Sequence, residues 1–393
     1  MKNGAISAKS LTKNYGEFCA VNDVSLEIPK GICFGLLGPN GAGKTTMIQM
    51  IQASSPITNG KLEVLGMDTI SNSREIRKKI GVIPQEDNLD PDFSVRYNLL
   101  VYARYFGIEL DEAKEKAEEL LEKVELTDKA EQEINNLSGG MKRRLIVARG
   151  MINEPELLIL DEPTTGLDPQ ARHSVWDQIR IFKNKGKTVL LTTHYMDEAE
   201  ILCDQLAIMD SGRILIQGNP KELIKKTIGN DAAELVALSF GKDEKILNLI
   251  ERKCKLMEVS FSRVTDRIIL YGKEIENIIS EFNDEENLTD VIRRRATLED
   301  VFLNLTGKIP EPIYDTQVAA MFCGLGDQVS YDVLVNKFLG LTLTKESQFS
   351  NWLQRPLTKK QLQYAFKFFI QRIFILFYGR VKISDLNNIN DEK

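Results

Sequence analysis

The run GPNGAGKTT at residues 38–46 most limits what this 393-residue chain can fold into. It fits G-x-x-x-x-G-K-[ST], follows the apolar run ICFGLL (residues 32–37) and precedes the helical pattern MIQMIQ (residues 47–52). A strand, a tight glycine loop and a helix in that order form a phosphate cradle. From Gly38 through Pro39, Asn40, Gly41, Ala42 and Gly43 to Thr46, the glycines let the backbone curl so that N–H groups face an anion. Lys44 supplies a point charge for β- and γ-phosphate oxygens, and the Thr45 hydroxyl is a ligand for Mg²⁺. The spacing therefore predicts nucleotide binding.

A second constraint lies at LLILDEPTTGLDP, residues 157–169. A buried strand ending in a carboxylate delivers Asp161 to the Mg²⁺ side of the phosphate loop. Glu162 follows at once, where a carboxylate polarises a water for attack on the γ-phosphorus. The bland alternative makes Glu162 an ordinary acid at a helix start. His194 closes a third apolar strand, TVLLTTH, and strand ends in open α/β sheets converge on the ligand crevice. His173, in ARHSVWDQ, reads as a helix-face residue without a chemical task. Gln85 and Tyr15 are too ordinary as residue types to single out by chemistry.

A third feature is LSGGMKRR, residues 137–144. Ser138, Gly139 and Gly140 open an apolar-periodic helix where backbone N–H groups lack helical partners, a second anion-binding arrangement. The basic run Lys142, Arg143, Arg144 behind it reads as a solvated face.

Alternation of short apolar runs with longer periodic ones from residue 4 to 229 indicates an α/β domain. DEAKEKAEELLEKVEL, from Asp111, reads as an amphipathic surface helix. Residues 230–307 mix strand-like runs (ELVALSF, RIILYG) with helical ones (DEKILNLIERK, TLEDVFLNLTG), which suggests a small α+β module. KIPEP (308–312) marks a linker.

Hydrophobic residues make up 42% and charged residues 27% of the chain, as in a folded globular protein. A net charge of -6 argues against nonspecific nucleic-acid binding. Five scattered cysteines without CxxC spacing argue against a disulfide framework or zinc site, and two histidines exclude a histidine-rich metal centre. The opening residues lack a signal-peptide core, and no window reaches the roughly 18 apolar residues that cross a bilayer. Any membrane-spanning part of the system is thus expected on another chain.

With GPNGAGKTT, Gln85, LSGGM, LLILDEP, GLDP and His194 in this order, residues 4–307 resemble an ATP-binding-cassette (ABC) ATPase subunit. GVIPQEDNLDPDFSVRYNLLVYARYFGI, EPTTGLDPQARHSVWDQI, LLTTHYMDEAEILCD and the closing TLEDVFLNLTG are similar to the nodulation-factor and drug-exporter branch with ABC-2-type permeases. The resemblance implies a P-loop cassette with a helical subdomain over residues 4–229 and an accessory domain over 230–307. It implies that Tyr15 stacks on adenine, that Gln85 joins Thr45 and Asp161 at Mg²⁺, and that Glu162 is the general base with His194 on the γ-phosphate. It further implies that two copies pack head to tail. Ser138, Gly139 and Gly140 of one would cover ATP in the other, and Asp168 would link the two sites. The expected partners are a second copy and a separate integral-membrane permease, at the cytoplasmic face of the membrane. The competing reading, a soluble cassette protein working on ribosomes or nucleic acid, fits less well, because such proteins usually carry two cassettes in one chain.

Residues 313–365, with DTQVAA, SYDVLV, NWLQRPL and QLQYA, resemble the later part of a ribonuclease D exonuclease domain. Two-metal cleavage needs a carboxylate cluster. The family's earlier acids have no counterpart upstream, and Phe368 stands where the acid paired with Tyr364 belongs. No nuclease activity is expected. Residues 366–393 are unrelated to that domain and are expected to be poorly ordered. FKFFIQRIFILFY (366–378) has a membrane-surface helix as its sharper reading.

Overall fold

The computed structural model describes residues 4–237, 244–264, 267–282 and 288–307. The chain divides into Met1–Glu311 and Pro312–Lys393. The second unit, with the exonuclease-like segment 313–365 and the tail 366–393, lies outside the described residues.

The chain opens with two twelve-residue strands, β1 (Gly4–Tyr15) and β2 (Phe18–Pro29), paired antiparallel through Tyr15 and Phe18. Gly16, at φ 59°, makes that turn. β3 (Cys33–Leu37) is buried throughout and leads through the phosphate loop into α1 (Lys44–Ile51). β4 (Asn59–Val64) and β5 (Met67–Asp68) complete an antiparallel sheet of order β2-β1-β4-β5. The sequence reading named none of these four strands. The alternation of Val24, Leu26 and Ile28 with exposed Ser25 and Glu27 carries the signal.

α2 (Ser73–Lys79) and β6 (Ile80–Ile83) precede a helical block of α3 (Val95–Tyr105), α4 (Leu110–Lys123) and α5 (Gly139–Met151). α4 is the expected amphipathic helix and buries Ala113, Ala117, Leu120 and Leu121, the i, i+4, i+7, i+8 stripe. Then come β7 (Leu157–Asp161), α6 (Pro169–Asn184), β8 (Thr188–Thr193), α7 (Met196–Leu202), β9 (Gln205–Asp210), β10 (Arg213–Gly218) and α8 (Pro220–Thr227). The central sheet runs β10-β9-β3-β8-β7-β6, parallel except for the β10–β9 pair. Alternate residues feed two cores. Leu37, Leu158, Leu160, Val189 and Leu191 face the helical side, whereas Phe34, Leu36, Ile159 and Leu190 face the antiparallel sheet. Burial on both faces explains why these strands read as unbroken apolar runs.

The last part contains β11 (Asp231–Ala237), α9 (Glu244–Leu256), β12 (Ser260–Val264), β13 (Arg267–Tyr271), α10 (Ile275–Phe282), β14 (Leu288–Arg295) and α11 (Leu298–Thr306). Its sheet is antiparallel, in the order β12-β13-β11-β14. β12, α10 and β14 go beyond the two strands and two helices read from the sequence. α11 starts with a reciprocal cap between Thr297 and Asp300 and ends at Gly307, φ 64°. Leu298, Val301, Phe302 and Leu303 join the same core as Leu202, Leu223 and Ile224, so the last helix docks on the cassette's own helices.

Candidate functional site

The end of β3 and the start of α1 hold the phosphate loop open. Gly38, Gly41 and Gly43 have φ of 155°, 82° and 102°. A Cβ would stand 2.1 Å from the Met209 carbonyl oxygen at Gly38 and 2.5 Å from that of Ala20 at Gly43. Only glycine fits there. No acid occupies the first turn of α1, so its N-terminal positive potential is not offset. Lys44, 5% exposed, donates from Nζ to the carbonyls of Gly38 (2.7 Å) and Pro39 (3.1 Å), and lies 3.6 Å from Glu162 Oε1. Burial lowers its pKa, opposed by Glu162 and Asp161.

At the end of β7, Asp161 accepts a 2.5 Å hydrogen bond from Thr192 Oγ1, and burial raises its pKa. Glu162 is no helix-start acid: α6 begins only at Pro169, and Glu162 has φ 46° in a bend after the strand. Its N–H donates to the carbonyl (3.1 Å) and hydroxyl (3.2 Å) oxygens of Thr192. That double tether turns its side chain inward. Glu162 Oε2 accepts from Gln85 Nε2 (3.2 Å) and Thr165 Oγ1 (3.3 Å), and His194 Nδ1 is 3.2 Å away. The His194 imidazole, then Lys44, hold the Glu162 carboxyl below the usual carboxylate range despite its burial. Neither ring nitrogen of His194 has a well-aligned hydrogen bond to the described residues. Lys44, Gln85, Asp161, Glu162 and His194 thus meet around one point beside the glycine cradle. A cradle of N–H groups, a cation, an imidazole and a carboxylate suit a polyphosphate and an attacking water.

Three sequence-predicted residues open α5. Ser138 caps it, its Oγ accepting from the Met141 N–H at 3.3 Å, and no acid lies in the first turn. Ser138 and Gly139 are exposed. Asp168 caps α6 in the same way, its Oδ1 accepting from the Ala171 N–H at 2.8 Å. The two helix starts are neighbours, since a Cβ on Gly140 would lie 3.1 Å from Ala171 Cβ. Tyr15 is 47% exposed at the β1–β2 turn, with Lys13 Nζ 4.8 Å from its ring centre. His173 packs edge-on to Trp176, in keeping with its bland reading.

The basic run behind Ser138 requires a correction. Arg143 is only 7% exposed, and its Nε and Nη1 donate to the carbonyls of Pro163 and Pro84, both at 2.6 Å. Burial pulls its pKa down to about 10. Arg144 donates to the Val124 carbonyl at 2.9 Å and pairs with Glu125. The signal was spacing: Arg143 stands three, four and seven positions before buried Ile146, Val147 and Gly150. Sequence reading also missed Glu198, buried on α7. It accepts from Thr164 and Trp176, both at 2.9 Å, and burial raises its pKa.

Fold and site together define an ATP-binding cassette, an α/β phosphate-loop ATPase. A family model for the ABC transporter matches residues 21–165, and one for the C-terminal domain of the nodulation factor export protein NodI matches residues 247–307. The Nod factor export ATP-binding protein I of Rhizobium sp. (strain N33) is 44% identical over 308 residues, covering 78% of this chain and 99% of that protein. That of Rhizobium johnstonii is 45% identical over 305 residues, covering 77% and 95%. A solved ATP-binding cassette, dimeric in a post-hydrolysis state with ADP and Pi, superposes at TM-score 0.51 and 27% identity over 55% of this chain and 98% of its own. The chain belongs to the ABC transporter ATP-binding proteins, in the family of Nod factor export ATP-binding protein I. Its described residues carry an ATPase cassette of that family. A model for a 3'-5' exonuclease matches residues 299–367, beginning inside α11.

Proposed function

We propose that this chain is the ATP-hydrolysing half-motor of an exporter, working as a pair of identical cassettes on a separate membrane permease. One observation carries the pairing. The cluster of buried Lys44, Asp161 and Glu162 with half-buried His194 and the exposed Gln85 accounts for one side of a triphosphate site, while the second anion-binding end, at Ser138 and Gly139, faces solvent with no such cluster beside it. A second copy brings its α5 start over the first copy's phosphate loop, and receives the same in return. The family relationship supports export, since the relatives are Nod factor export proteins. Among the described residues no helix is long and apolar enough to cross a membrane; in this reading the permease is a separate chain, and this subunit docks at its cytoplasmic face.

In this reading residues 4–229 form the cassette and 230–307 its accessory domain. Tyr15 stacks on adenine, and the loop Gly38–Thr46 wraps the β- and γ-phosphates, with Lys44 moving from loop carbonyls to phosphate oxygens. Thr45, Gln85 and Asp161 supply the hard oxygen donors that suit Mg²⁺, which when bound neutralises charge on the β- and γ-oxygens. Glu162 takes the proton of the attacking water, and His194 fixes the γ-phosphate. Ser138, Gly139 and Gly140 of the second copy contact that same phosphate, and Asp168 lies where the two sites adjoin. We assign the tail no nuclease chemistry, because its sequence lacks the acids of two-metal cleavage.

Glu162→Gln removes the base but keeps the side chain's size and one acceptor oxygen, so ATP should stay bound and hold the pair together. Light scattering of that variant should give a dimer with ATP and a monomer without. A monomer in both states contradicts the proposal. Copurification with ribosomes rather than an integral-membrane protein would favour the soluble reading.

A further inference from the structure

The cations on α5 grip both halves of the hydrolytic site. Arg143 Nη1 donates to the carbonyls of Pro84 (2.6 Å) and Gln85 (3.5 Å), while its Nε donates to that of Pro163. Six residues on, Arg149 donates to the Asn88 carbonyl at 2.9 Å and to the Asn88 side chain, and Lys142 is 3.9 Å from Asp87. Segment 84–88 is therefore fastened to α5 at several points. In front of this clamp the Gln85 side chain meets Glu162. Gln85 and Glu162 are thus joined twice: directly, side chain to side chain, and behind, through the backbone carbonyls that Arg143 binds. A planar guanidinium with several fixed donors can hold two carbonyls at a set separation, which a lysine cannot do.

We propose that Arg143 is a positioning residue for hydrolysis. It transmits capture of the second copy's phosphate by the Ser138 end of α5 to Gln85 and Glu162 of its own chain. α5 is a continuous helix from Gly139 to Met151, so a displacement at its start reaches Arg143 one turn away with little loss. The carbonyls of Pro84 and Pro163 move with the guanidinium, and the carboxylate and amide in front of them follow. Each site then becomes competent only when its chain's α5 is seated on the other site's nucleotide. This rests on the head-to-tail pair proposed above.

The test compares Arg143→Lys and Arg143→Met with the unaltered full chain in steady-state ATPase titrations, after thermal melts verify folding. The expected result is a KM for ATP changed less than about threefold while kcat falls about a hundredfold, the scale of an ångström misplacement. The Hill coefficient should fall from near two towards one. A role in stability alone leaves the cooperativity intact, so folded variants with unaltered kcat and Hill coefficient overturn the proposal. A second measurement keeps Arg143 in place. ATPγS should slow amide exchange at residues 85–88 in the unaltered chain, and Ser138→Arg should abolish that slowing with ATPγS still bound. Equal slowing in both overturns the coupling. Light scattering separates the two readings: failure of Glu162→Gln to dimerise sinks the head-to-tail pair, whereas a dimer indifferent to Arg143 sinks only this inference.

Discussion

Replacing Glu162 by glutamine should act in opposite directions on the nucleotide-free and the ATP-bound protein. Without nucleotide, Glu162 faces Lys44 across 3.6 Å, both nearly buried. At an effective dielectric near 20, two unit charges that far apart attract by about 4–5 kcal/mol. Desolvation of the pair and the remaining Asp161 carboxylate offset part of this, leaving a loss of about 2 kcal/mol in the variant. For a unit the size of Met1–Glu311 that is a fall of roughly 3 °C in Tm. With ATP the sign reverses, because γ-phosphate oxygens replace the missing carboxylate beside Lys44 and the variant cannot discharge them. The ATP-induced rise in Tm should therefore be larger in the variant than in the unaltered chain. Turnover should fall between about a hundredfold and ten-thousandfold, the range for losing a general base. The stability difference also depends on pH. His194 and Lys44 depress the Glu162 pKa in the fold, so its stabilisation is complete above the unfolded value and vanishes as pH falls through the folded one. Melting curves of the two proteins should diverge fully at pH 7 and begin to converge only as pH falls below the ordinary glutamate value of about 4.3. Differential scanning fluorimetry with and without ATP reads all of this. An unchanged nucleotide-free Tm, together with equal ATP increments, would refute the charge pairing.

Lys44→Ala should raise the dissociation constant of a fluorescent ATP analogue about a hundredfold, roughly 3 kcal/mol for a contact to a charged group. Equilibrium titration measures it. Phe302→Ala removes a ring only 1% exposed in the core shared by α11 and the cassette, and should cost about 3–5 kcal/mol in denaturant unfolding. A cost under about 1 kcal/mol would mean that α11 is not docked there.

The phosphate loop, Asp161, Glu162 and His194 were legible because each closes an apolar run short enough to be a buried strand, and sheet topology brings strand ends together. Gln85 was not legible by chemistry. Its part comes from a contact with Glu162, 77 positions away, which no local pattern encodes. Arg143 was misread for the same reason. Three cations in a row look solvated until carbonyls 20 and 59 positions away converge on one of them. β14 was missed because its arginines suggest a surface run. In the fold Arg293 meets Glu276 on α10, and Arg294 meets Glu234 across the sheet and Asp300 on α11, so these charges are neutralised. β2 was within reach, since the alternation from Val24 to Ile28 was there to count; the register shifts of its partner β1 blur the same pattern.

The most direct test of the account is ATPase rate per molecule as the protein is diluted at saturating ATP. If each chain holds half of every site, the rate per chain falls as dimers dissociate, and light scattering on the same samples gives the matching midpoint. A rate per chain that stays constant down to concentrations where only monomers remain would contradict it.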